Sequence, residues 1–569
     1  MHLTSMYPDI PAHPPVNIHH CLFNRPDQQG WKDHTFHIDG LTGERRTFRQ
    51  FKQRVVDGAT ALSADVGVDL TGPNEIVGIL GENCLDYFTL IQALLYIATP
   101  FTMLSHFYTP FELTHALDLS TCTRIFVQPK FLSLIRDTGF PADRIYLLDG
   151  AASGKRSLGD MIDAVRARDT PRTAVRPAGK DTLAYLMFSS GTSGLPKAVM
   201  ISHGNLWFTT LQGAVTGRDS QPADLSHTHE GIPSALVFLP LHHAYAFVVF
   251  NFRALLIPIT LTVLPKWDLP TALALIPKYK ITILNLIPSI VHQIVHSPLA
   301  ASADLSSLRS VSSGAAYLPA ELGERIHALA GGGKVSMTEG YGMSEFTMSA
   351  TTKPIHGSLG GRAKNIPGSA GILLPGVSAR LTRPDGSLCS VGEPGELWIA
   401  GGGIALGYWN NPEATKETFV DGWLRTGDRF KVDSAEDGVL FFQDRAKDTL
   451  KVGGMQVSPT EIENALIAHP DKLVLDAAVA GVVLPGGRIA DEKVPRAWVV
   501  LSAAGKAKGE GAVVKALDAW IGTALSKYKR LRGGIAVVSE IPKSPTGKVL
   551  RRVLQDEYEQ QTQKPSARL

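Results

Sequence analysis

Cysteine is scarce: four thiols in 569 residues, at Cys21, Cys84, Cys122 and Cys389, with no CxxC or Cys/His spacing among them. That excludes a zinc ribbon or a disulfide framework and fits a reducing compartment. An excess of charge of one sign is missing as well. Lys and Arg number 56 against 53 Asp and Glu, a formal net charge of +3, which argues against nucleic acid as a main partner. No long hydrophobic run goes uninterrupted. The most apolar stretch, 244–264, contains Asn251, Arg253 and Pro258, so it is expected to be a buried core segment, not a transmembrane one. The first residues, MHLTSMYPDIPAHPPV, lack both a basic start and an apolar centre. They are expected to form a loose, proline-rich lead-in and not a secretory signal.

What is present describes an ordinary soluble globular protein, 44% hydrophobic and 19% charged, long enough for two to four domains. Strand-length apolar bursts alternate with longer amphipathic stretches through the first two thirds, as in Glu75 to Leu80, Leu85 to Ile97 and Arg124 to Val127. The pattern predicts an α/β fold with largely parallel sheets. From Gly368 to Phe442 short strands and turn signals such as Pro384-Asp385-Gly386 predict a β-rich subdomain. A polar segment after Asp444 marks a boundary, giving an N-terminal domain over 1–443 and a small, mobile α+β C-terminal domain over 444–569. In the latter, Val513, Leu517, Ile521 and Leu525 form the buried stripe of one helix.

The most informative segment is SSGTSGLPK. Glycines at 191 and 194 let backbone amides approach an anion, while Ser189, Ser190, Thr192 and Ser193 supply hydroxyl donors and Lys197 a point charge. This is a phosphate loop, lying between the apolar runs Leu183 to Phe188 and Ala198 to Ile201. It is not a Walker loop, because Leu195 and Pro196 precede Lys197 and no hydroxyl follows it.

This loop resembles the signature of the adenylate-forming superfamily: acyl- and aryl-CoA ligases, peptide-synthetase adenylation domains and beetle luciferases. Further segments are similar to that family's motifs in the same order, from about Thr47 to Arg552. In LPLHHAYA, His243 occupies the place of the family histidine that guides the carboxylate, and Tyr245 that of a pocket tyrosine in ligases such as 4-coumarate ligase, a hint of an aromatic or arylalkyl acid. SSGAAYLP supplies Gly314 and Ala315 to the adenine-side loop. In EGYGMSE, Gly340 and Met343 border the substrate, Tyr341 and Gly342 border adenine, Ser344 offers a hydroxyl to the α-phosphate and Glu345 a carboxylate to Mg2+. GWLRTGDRF brings Asp428 to the ribose, with Arg445 opposite. DRAKDTLKVGG resembles the hinge, centred on Lys447, with Lys451 near coenzyme A. Gly453 departs from the lysine that many CoA ligases have there. IPKSPTGKVLRR places Lys548 at the position of the catalytic lysine.

The resemblance implies an ATP-dependent carboxylate–CoA ligase that forms an acyl adenylate and then a thioester, with ATP, Mg2+ and coenzyme A as cofactors. Small side chains at Ala244, Ala315 and Ala316 leave room for a ring or chain; equally, Met343, Phe346 and Met348 are large enough to fill that room, and the sequence leaves both open. Three alternatives stay open: an enzyme that loads a separate carrier protein, a luciferase-like oxygenase, and a silent acyl-binding scaffold. The final Ala567-Arg568-Leu569 matches the small-basic-leucine form of a peroxisomal address, so the peroxisomal import receptor is an expected partner.

Overall fold

The computed structural model describes residues 1–563 apart from 15, 64–67, 190–195, 219–224, 226–227, 317, 333–334, 446–449, 453–454, 485–492, 526–528 and 545–546. The site residues expected at Ser190, Gly191, Thr192, Ser193, Gly194, Lys447 and Gly453 and the final tripeptide lie outside the described residues, as do the side chains of Arg445 and Lys451.

Two seven-stranded sheets carry most of the chain. One runs in the order Gly407–Tyr408, Lys197–Ser202, Leu183–Ser189, Phe101–Leu104, Val77–Leu80, Arg124–Val127 and Ile145–Leu147. Its last five strands are parallel, and the first two pair antiparallel. The other runs Ser336–Glu339, Ser310–Ser313, Ile283–Leu286, Ser234–Val237, Thr260–Val263 and Thr35–Asp39, all parallel, with Arg45–Thr47 antiparallel at its edge. Strands such as Val77–Leu80 and Ser234–Val237 are buried at every position, as expected of parallel sheets covered by helices on both faces. The helix Leu85–Tyr96 is buried along its whole length, within a core that both sheets share.

The apolar stretch at 244–264 is core, as its interruptions suggest: a helix at Ala244–Asn251, a single turn at Arg253–Leu255 and the strand Thr260–Val263. Among the described residues no helix is long and apolar enough to cross a membrane.

The β-rich part is a six-stranded antiparallel sheet that includes Ser378–Thr382, Gly395–Ala400, Trp423–Val432 and Leu440–Arg445. The reading of the N-terminus as a loose lead-in is corrected here. His2–Thr4 is an edge strand of this sheet, in register with Ser378 to Arg380, and Leu3 packs into its core. Three residues are too few for alternation to be visible in the sequence.

From Leu450 onward apolar side chains form cores of their own. The strands Val474–Val483, Lys493–Leu501 and Ile535–Val537 make a three-stranded sheet. The helix Glu510–Ala524 buries Val513, Leu517 and Ile521 as its spacing predicts, and Leu525 falls just past its end.

Asp86 opens the buried helix Leu85–Tyr96 and is held by Arg46 at 2.6 Å and by a two-pronged contact from Arg54 at 2.8 and 2.7 Å. Burial alone would raise its pKa, but the arginines hold it below the usual carboxylate range. Removing one partner of such a cluster leaves uncompensated buried charge. Asp86→Ala is therefore expected to cost about 3–5 kcal/mol, measured as the urea midpoint of the purified protein; a loss no larger than that of an exposed aspartate would contradict this.

Candidate active site

Parallel strands leave their carboxyl ends on one side of a sheet, where ligands gather. In both seven-stranded sheets those ends border one cavity of about 970 Å³, lined by Ser189, Ser313 and Glu339 from strand termini and by Lys548 from the C-terminal part. Of the sequence-predicted residues, Lys197, His243, Tyr245, Gly314, Ala315, Gly340, Gly342, Met343, Ser344, Glu345 and Asp428 line it too. Tyr341 lines a neighbouring cavity of about 610 Å³ that shares Gly340, Asp428 and Lys548 with the first.

On the phosphate side, Lys197 begins the strand that follows the loop, and its ammonium lies over the Tyr408 ring at 4.8 Å. The Tyr408 hydroxyl donates to Glu345 Oε1 at 2.9 Å. Burial, reinforced by the Glu345 carboxylate, pushes the phenol far up, so it stays a donor. Sequence reasoning assigned no role to Tyr408. It lies within the GYWNN run, whose tyrosine was the available signal. A second unassigned residue, Glu339, is paired with Lys353 at 2.5 Å and borders both cavities.

On the nucleoside side, Asp428 is 6% exposed on the strand Trp423–Val432 and accepts a 2.7 Å bond from the Tyr341 hydroxyl. The two residues expected to meet ribose and adenine are thus tied to each other. Asp428 is in register with Arg445 on the adjacent strand. Gly342 is required by space: a Cβ there would lie 1.7 Å from the Met348 carbonyl oxygen. Ala315 holds a left-handed φ of 69°, a conformation that costs a non-glycine residue and is typical of ligand-binding loops.

On the acid side, His243 stands at the N-terminus of the helix Ala244–Asn251, its ring 4.3 Å from that of His242. Burial lowers its pKa to about 4, with His106 adding to the effect. The imidazole is therefore neutral in working buffers and able to act on a ligand by hydrogen bonding but not by charge. The Tyr245 hydroxyl lies 2.8 Å from Ser312 Oγ, which donates to Asn285 Oδ1 at 2.7 Å. Met343 and Met348 line the cavity, whereas Phe346 does not fill it as expected: it is 1% exposed in the core of the antiparallel sheet.

Lys548 follows a turn in which Ser544 Oγ accepts from its backbone amide at 3.1 Å and the Ser544 amide donates to its carbonyl at 2.7 Å. Arg551, three residues on, clasps Glu463 at 2.7 and 3.0 Å, anchoring the segment that carries the lysine.

Buried neutral histidines make the fold sensitive to acid. Burial holds His19 and His243 to about 4 and His242 well below its ordinary value. Below the unfolded value of 6.5 the unfolded chain takes up protons that the native chain refuses, so stability present above that pH falls as the pH drops towards 4. Urea midpoints at a series of pH values across that window are expected to decline steadily; a flat profile would rule out neutral burial. A second expectation concerns Tyr408→Phe, which keeps the ring under Lys197 but removes the bond to Glu345. It should lower turnover about tenfold, at a cost near that of one hydrogen bond to a charged group, with a small fall in melting temperature because the buried Glu345 loses that donor.

A family model described as AMP-binding enzyme matches residues 25–409, and one described as AMP-binding enzyme C-terminal domain matches 461–548. The chain is 32% identical to a probable 4-coumarate–CoA ligase of Dictyostelium discoideum, over 98% of its own length and 97% of that protein's. It is also 32% identical to an acyl-CoA ligase of Alternaria alternata, over 92% and 90% of the two chains. Among solved structures, ATP-bound MatB from Rhodopseudomonas palustris matches with a TM-score of 0.79 at 27% identity, over 96% of this chain and 99% of that one. Cavity, motif order and full-length similarity agree, and the chain belongs to the AMP-binding enzyme family of the adenylate-forming superfamily.

Proposed function

We propose that this protein is an ATP-dependent carboxylate–CoA ligase working in two half-reactions. The observation that carries the reading is the convergence of Lys197, His243, Glu345, Asp428 and Lys548 on one cavity, from segments far apart in the chain. A carboxylate attacking a triphosphate is an anion approaching an anion, and cations fixed between them stabilise the charge that builds up. His243 orients the carboxylate, Asp428 holds the ribose and Lys548 bridges the carboxylate and the α-phosphate. Attack at the α-phosphorus forms the acyl adenylate and expels pyrophosphate towards Lys197. The thiol of coenzyme A then attacks the acyl carbon, AMP leaves, and the thiol proton goes to solvent.

Among the described residues no cluster of three or more His, Cys, Asp or Glu side chains could hold a metal alone. Magnesium bound through phosphate oxygens needs only one or two protein carboxylates, and the buried Glu345, oriented by Tyr408, fits that task. The ion would supply charge neutralisation to the phosphates.

The 444–569 segment moves between the half-reactions in this reading, about the hinge position Lys447, taking Lys548 out and opening the cavity of about 610 Å³ to the thiol. Two features support such motion. The C-terminal segment has separate cores, and Lys472–Glu321, an ion pair that joins it to the remainder, is exposed on both sides, where such pairs contribute little. The relatives named for 4-coumarate and for acyl substrates support an aryl, arylalkyl or fatty acid. Peroxisomal import through the terminal Ala-Arg-Leu belongs to the same proposal.

Pyrophosphate release with ATP and magnesium, across cinnamic, benzoic, phenylacetic and fatty acids, should require both an acid and coenzyme A for sustained turnover. Lys548→Ala should lower adenylation about 100- to 1,000-fold while largely sparing thioester formation from supplied acyl adenylate. Equal loss of both steps would refute this division of labour, and silence on every acid, dicarboxylic acids included, would revive the scaffold reading.

A further inference from the structure

The helix that begins after His243 directs one row of side chains into the cavity. Tyr245 and Val249 stand one turn apart on it, and Arg253 follows four residues later, just past its end; all three line the cavity. Arg253 comes ten residues after His243, the residue expected to guide the carboxylate, and lies past the C-terminal end of that helix.

Arginine at this depth is out of place without a partner. Its Nε and Nη2 donate to one acceptor, the Thr209 carbonyl, at 3.1 and 3.0 Å. No carboxylate among the described residues acts on it, and Tyr245 is the one group that favours its charged form. Tyr245 is no counter-ion, since burial holds the phenol up at about 12. Burial pushes the guanidinium down to about 10, so it is still cationic at neutral pH. Arg253 is half-buried, and a partly desolvated charge left with a neutral carbonyl is poorly compensated, since such charges are ordinarily paired.

The neighbouring helix His203–Gly217 makes room for this side chain. Gly213 lies inside it, where glycine costs about 1 kcal/mol relative to alanine, and a Cβ there would come within 2.8 Å of Arg253 Cδ. Tyr245, Ser312 and Asn285 also line the cavity and are bonded in a chain. A plain hydrocarbon tail or bare phenyl ring would leave the Arg253 guanidinium without a charged partner.

We propose that Arg253 is a specificity-determining residue, and that the acid activated by this enzyme bears a second anionic group, a distal carboxylate, which pairs with Arg253 at the far end of the cavity. The inference rests on the ligase reading and narrows its substrate class to elongated dicarboxylic acids, aliphatic or aromatic.

The test compares matched acids in coenzyme A-dependent AMP formation by the full-length enzyme: suberic against octanoic, azelaic against nonanoic, and 4-carboxycinnamic against cinnamic. Sites that pair a buried polar group discriminate strongly against analogues lacking its partner, so kcat/KM for the diacids should exceed that for the monoacids by about 100-fold or more. Arg253→Met, similar in volume and uncharged, should invert the preference, mainly through KM for the diacid, and Arg253→Lys should restore part of it. A wild-type enzyme that prefers the monoacids, or an Arg253→Met variant that loses both classes equally, would overturn the proposal while leaving the ligase intact. The wild-type comparison decides even if the variant does not fold. No turnover with any acid would instead defeat the ligase reading on which the proposal depends.

Discussion

Parallel strands cannot be joined by tight turns. Each must cross back over a face of its sheet, so every carboxyl end opens on the same side. In this chain two such sheets share one core and turn those ends towards a common cleft. The strands Leu183–Ser189, Phe101–Leu104, Ser310–Ser313 and Ser336–Glu339 deliver Ser189, Met103, Ser313 and Glu339 to its wall. The loops that follow them are released from sheet geometry there and free to carry chemistry. Shape comes from the parallel sheets, and the antiparallel sheet adds Asp428 from a third direction.

The residues that would touch ligand are held in place by their neighbours. Tyr408 links two of them, giving its ring face to Lys197 and its hydroxyl to Glu345. Tyr341 ties down Asp428, and Lys353 occupies Glu339. A cleft that gathers this much charge would otherwise settle into internal ion pairs before any substrate arrived. Aromatic hydroxyls limit that collapse, because they orient carboxylates without neutralising them.

Much of this was legible in the sequence. Alternating apolar bursts gave the parallel sheets, the Val513, Leu517 and Ile521 stripe gave its helix, and the ordered motifs gave most of the cavity wall. What escaped was set by tertiary contact. His2–Thr4 is too short to announce a strand and is one only because Ser378–Thr382 offers an edge. Phe346 sits within a cavity-lining motif but turns into a separate core, a choice of side-chain direction that periodicity does not encode. Arg253 stood in the sequence as an interruption of an apolar run, and its setting beside Gly213 needed both helices in place.

The pairing of Leu3 with Ala379 bears on how the chain is made. Leu3 and Ala379 lie far apart in the sequence, so this edge strand pairs only once a distant strand is in place. Loop closure over such a separation is slow compared with local helix formation, and domains generally complete in order from the N-terminus. The edge of the sheet that carries Asp428 is therefore expected to close late, after the parallel core has formed, when two segments distant in sequence meet.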